Sequence, residues 1–61
     1  MKLYELKKGS KIYCETSDGG EYIIFDHIDG MYSYCTTEKG AVVHLWSATE
    51  LEKKDDGYQL I

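Results

Sequence analysis

Cys14, His27, Cys35 and His44 are the four side chains best suited to bind a soft metal or to supply a nucleophile and its base. They are separated by 12, 7 and 8 intervening residues, with no paired CxxC or HxxxH spacing of the kind that zinc sites use. Each falls in a different β-like run, so convergence would need one particular strand register. The plain reading is two buried thiols and two ordinary histidines, and no metal or cofactor is expected. A Cys/His nucleophilic pair would need an oriented base and an oxyanion hole over a cleft. A chain of 61 residues offers little room for one, and a non-enzymatic protein is expected. Two cysteines are too few for a disulfide-rich secreted scaffold, and spacing alone does not decide whether they are bonded.

The aromatic set offers a different chemistry. Tyr4, Tyr13, Tyr22, Phe25, Tyr32, Tyr34, Trp46 and Tyr58 include six tyrosines, more than a core this small can hold with every hydroxyl satisfied. Several must lie at the surface, where Tyr and Trp give large contact area at low entropy cost. Tyr32, Tyr34 and Trp46 are the expected anchors for a protein partner. The alternatives are cross-strand aromatic pairs that only stabilise a sheet, or rings that stack single-stranded bases along a basic groove.

Charge bears on that last alternative. The seven cations are all Lys against eleven carboxylates, for a net charge of −4, and the chain has no Arg, Asn or Pro. Without Arg it lacks the planar group favoured for phosphate and base-edge recognition. Residues 1–14 hold Lys2, Lys7, Lys8 and Lys11 against Glu5, while residues 15–61 hold three lysines against ten acids. Lys7, Lys8 and Lys11 would lead a nucleic-acid-binding barrel, or would simply guard an exposed edge strand. Glu50, Glu52, Asp55 and Asp56 match no EF-hand spacing and read as a solvated acidic run.

The elements that must position these residues are marked by turns. Asp29-Gly30 lies between two alternating runs, and an Asp-Gly pair allows the positive φ angles of a type I′ hairpin turn. Ser17-Asp18-Gly19-Gly20, Glu38-Lys39-Gly40 and Asp55-Asp56-Gly57 are further turn clusters. Between them Lys11–Glu15, Glu21–Ile28, Met31–Thr36, Ala41–Trp46 and Tyr58–Ile61 are expected strands. Alternation puts Ile23, Phe25 and His27 on one face of the second run and Tyr22, Ile24, Asp26 and Ile28 on the other. In the third run Tyr32, Tyr34 and Thr36 share a face that reads as a surface stripe. Ala41, Val43 and Leu45 oppose Val42, His44 and Trp46 in the fourth. Ser47–Lys54 breaks the β pattern and predicts a single helical turn with Leu51 tucked inward. The residues after Met1 have no apolar core of a signal peptide, and no apolar run approaches the roughly 20 residues of a membrane span. One cytoplasmic domain is expected, with no membrane partner.

This order of strands, tight turns, one helical turn and a closing strand resembles an SH3-like barrel. Leu6-Lys7-Lys8-Gly9-Ser10-Lys11-Ile12 is similar to the lysine-rich turn, glycine and strand that open many such barrels, and Leu45 through Leu51 to their short helical turn. Signalling SH3 domains add a Trp pair and a late Pro that this chain lacks, so polyproline binding is not carried over. The expected fold is therefore all-β: a five-stranded SH3-like barrel or strongly curved antiparallel sheet, with a helical turn near residues 47–53. Many functions share that barrel. The expected role is a protein-interaction or accessory module, in size and composition suited to a bacteriophage gene product that modulates a host or virion protein. The alternatives are nucleic-acid binding and self-association, including a homodimer, through an exposed edge strand.

Overall fold

The β-branched and aromatic runs fold as strands around the hairpin at Gly30. A computed structural model describes the backbone of residues 1–16 and 19–61 and the side chains of residues 1–14 and 19–61. The turn expected at Ser17-Asp18 lies outside the described residues. β2 (Gly19–Asp29) and β3 (Tyr32–Thr37) pair antiparallel, with Asp29 opposite Tyr32, so the two-residue loop is Gly30-Met31. Gly30 has φ 64° and Met31 has no positive φ. That pattern fits a type II′ turn, with Gly first, in place of the expected I′.

β2 also carries a register shift between Phe25 and His27, where Asp26 is the extra residue. The bulge reverses the alternation that the sequence implied. Before it, Ile23 and Phe25 point into the core; after it, the inward position passes to Ile28, opposite the buried Ser33. His27 is turned outward, opposite Tyr34.

Among the described residues the sheet has six strands in the order β4 (Val42–Val43), β3, β2, β1 (Lys11–Thr16), β6 (Gly57–Leu60), β5 (Leu51–Lys54). β1 and β6 run parallel, so the sheet is mixed and not wholly antiparallel. β4 and β5 stand at opposite ends of the order and do not pair with each other. The extra strand is the segment expected to be helical. Leu51–Lys54 holds good helix formers but is too short to sustain a helix, and the Asp55-Asp56 turn lays it against β6 in four ladder pairs. Leu51 is buried as expected, as the first residue of that strand. The helical turn appears instead at Leu3–Glu5, a 3₁₀ turn in which Glu5 Oε2 accepts the Lys2 amide at 2.7 Å.

Residues 44–50 cross from the β4 end to the β5 end and tie them together. The Leu45 carbonyl accepts the Ser33 amide at 2.8 Å, and the Ser47 amide donates to Met31 at 2.8 Å. Farther along, the Ser47 and Thr49 carbonyls accept the Tyr4 and Leu3 amides at 3.0 and 2.9 Å. This strap and the N-terminal turn enclose Leu3, Leu6, Ile12, Ile23, Phe25, Cys35 and Leu51. Ser33 is buried among them, and its hydroxyl exchanges two 3.1 Å hydrogen bonds with the Leu45 backbone. Burying a hydroxyl costs little only when it is paired in this way.

Candidate functional site

Alternation along β3 sends Ser33 and Cys35 into the core and leaves Tyr32 and Tyr34 outside. The strap meets β3 again at an isolated bridge between Tyr32 and Trp46. Cross-strand pairing therefore arranges the outer face in two rows. One runs Asp29–Tyr32–Trp46 and the other His27–Tyr34–His44. Tyr32, Tyr34 and Trp46 are 51 %, 37 % and 53 % exposed. Met31 and Val42, both exposed, stand at the margins.

The second row is held by its histidines. His27 stacks on Tyr34 with ring centroids 4.8 Å apart and planes 11° from parallel. His44 meets the same ring edge-on, at 4.6 Å and 88°. Each imidazole is oriented from behind. His27 Nδ1 lies 2.6 Å from Asp26 Oδ2, and His44 Nδ1 lies 3.0 Å from the Ser33 carbonyl. Both partners only accept, so in each ring Nδ1 carries the proton. The hydrogen bond from His27, with Lys8 at 3.6 Å, holds the Asp26 carboxyl below its ordinary range. Tyr34 is thus a ring with restricted freedom, and pre-ordering reduces the entropy that a docking partner must overcome.

A cleft of about 360 Å³ opens on this face, lined by Asp29, Tyr32, Tyr34 and His44. The sequence points to Tyr32, Tyr34 and Trp46, and the fold places them side by side. It does not point to His27, His44 and Asp29 as members of the same face. The Asp29–Tyr32 pairing follows from the hairpin, but the His27–Tyr34 pairing depends on the Asp26 bulge.

The other candidates lie apart. Lys8 is engaged with Asp26, and Lys11 Nζ sits 4.6 Å over the Tyr22 ring. Lys7 belongs to a turn in which its carbonyl accepts the Ser10 amide and hydroxyl. Cys35 is buried and Cys14 half-buried, and both are free thiols. Burial pushes both thiols above their ordinary pKa, which opposes the thiolate form that nucleophilic or metal chemistry requires. Among the described residues, no three His, Cys, Asp or Glu side chains come together as a metal site. Glu50 binds the N-terminal amine at 2.8 Å and Lys2 at 3.0 Å, and Glu52 pairs with Lys54 at 3.3 Å. Among the described residues no helix is long and apolar enough to cross a membrane.

Comparison with protein-family models, with characterised proteins and with solved structures finds no match to this chain. The structure is a small domain built mainly from one sheet.

Proposed function

We propose that this chain is a non-enzymatic protein-interaction module that docks its partner on the face formed by Tyr32, Tyr34 and Trp46. The observation that carries the reading is the contiguity of three exposed aromatic side chains, two on β3 and one on the strap bridged to it, with exposed Met31 and Val42 nearby in the chain. Such rings bury large area on docking and dominate binding energy where they occur. Tyr22 and Tyr13 are engaged within the chain, Lys11 covering the Tyr22 ring and the Tyr13 hydroxyl donating to Asp56, whereas exposed Tyr4 stands alone on the N-terminal turn and not in a cluster of rings. In shape the proposal stays with the SH3-like comparison, short strands curled over one core, and takes no role from it.

The test is capture from source-cell lysate with the tagged protein, repeated with nuclease and in high salt. A protein retained through both treatments and lost with Trp46→Ala or Tyr34→Ala supports the reading, provided the variants keep their fold. Retention that nuclease or salt abolishes overturns it in favour of a nucleic-acid ligand, whose binding falls steeply with salt.

A further inference from the structure

We propose that the cleft lined by Asp29, Tyr32, Tyr34 and His44 receives a cationic side chain, arginine or lysine, from the partner that docks on this face. The inference rests on the docking reading above and specifies what the partner must present. Three observations carry it.

The first is the chemistry of the lining. The half-open Tyr32 ring and the Asp29 carboxylate line the cleft together, with Tyr34 already stacked on His27, and a π system beside a full negative charge attracts a guanidinium or ammonium. An arginine fits best, because its planar group can stack on a ring while donating to the carboxylate.

The second is that Asp29 is unengaged. Asp26, Glu50 and Glu52 each have a cationic partner within the chain, and Asp56 accepts the Tyr13 hydroxyl. Among the described residues the Asp29 carboxylate has no hydrogen-bond or ion-pair partner, although it lines the cleft.

The third is that the molecule already uses this contact internally. Lys11 lies 4.6 Å over Tyr22 and Lys53 lies 4.7 Å over Tyr58. Tyr32 and Tyr34 have no such lysine among the described residues. The net charge of −4 favours approach of a basic segment.

The test needs no knowledge of the partner. Isotope-labelled protein is titrated with Nα-acetyl-arginine methylamide, and separately with the citrulline analogue, which keeps the shape and removes the charge. The expected result is saturable amide shifts centred on Asp29, Tyr32, Tyr34 and His44 with the arginine probe, half-complete on the order of 10 mM for a single exposed contact. Citrulline should bind at least fivefold more weakly. Asp29→Asn should weaken the arginine probe at least fivefold while keeping the parent spectrum. Asp55→Asn, in the acidic run outside the cleft, should change it less than twofold. Equal shifts with citrulline, or equal losses in the two variants, would overturn the proposal. Capture of a protein partner that is indifferent to Asp29→Asn but lost with Trp46→Ala would remove the cation claim and leave the docking reading standing. Probe binding at the cleft with capture indifferent to Trp46→Ala would remove the docking reading instead.

Discussion

Tyrosines occur at both ends of the sheet, and the two ends treat them differently. Around β1 and β6, Tyr13 donates to Asp56 and meets Tyr22 edge-on, Lys11 covers Tyr22, and Lys53 covers Tyr58. Around β3 and the strap, the Tyr34 ring is ordered by two histidines, and Tyr32 and Trp46 remain half open to solvent. At the first end the aromatic surface is used within the chain. At the second it is arranged but left unspent, and a residue type that looks uniform in sequence therefore serves two ends.

The contrast can be tested first at the core that both regions share. Phe25→Ala removes a buried ring beside the bulge and should cost about 3–5 kcal/mol, enough to unfold most molecules of a domain this small. Urea melts would show it as lost cooperativity at room temperature. A smaller effect is expected at the self-engaged end. A Cβ at Gly57 would lie 2.7 Å from the Lys11 carbonyl and 3.3 Å from the Tyr13 ring. Gly57→Ala should therefore cost about 1–3 kcal/mol through displacement of β6 from β1. If that variant melts like the parent, the close packing of this end is wrong.

Acid should act through two carboxylates, Glu50 at the end of the strap and Asp26 at the bulge. The N-terminal amine and Lys2 hold Glu50 below its ordinary range, and His27 and Lys8 do the same for Asp26 behind the aromatic row. A folded-state pKa below the unfolded value means that the unfolded chain binds more protons in that window. The stability these groups contribute is thus present above the ordinary carboxylate range and is lost as pH falls through their folded values. The midpoint of melting should fall on acidification, and Glu50→Gln should flatten that fall. The smallest effect is chemical: Cys35 should react with iodoacetamide far more slowly than a solvent-exposed thiol, and more slowly than Cys14. Mass spectrometry of native protein reads both rates.

The places of the turns are legible in the sequence, but the type of the Gly30 turn and the bulge are not. Gly30 and Gly40 punctuate strands where expected, each with positive φ. The alternation of Tyr32, Ser33, Tyr34 and Cys35 correctly separates outside from inside. A bulge adds one residue without a compositional mark, so strict alternation keeps His27 on the face of Ile23 and Phe25 and misses its stack with Tyr34. Leu51–Lys54 misled for a related reason. Its local propensity is helical, but four residues gain more from pairing with β6 than from one helical turn. The parallel β1–β6 contact depends on where the strap carries the chain, which no local pattern records. The Tyr32–Tyr34 side of β3 is readable as a surface stripe, whereas Trp46, Asp29 and His44 join it only through strand register.

The central claim is that the open aromatic face, and not aromatic surface in general, binds the partner. It is tested most directly by the affinity of the purified partner for the parent protein, Tyr32→Ala and Tyr22→Ala, each first shown to be folded. The account predicts at least a tenfold loss for Tyr32→Ala and less than a twofold change for Tyr22→Ala. Equal losses, or a loss confined to Tyr22→Ala, would contradict it.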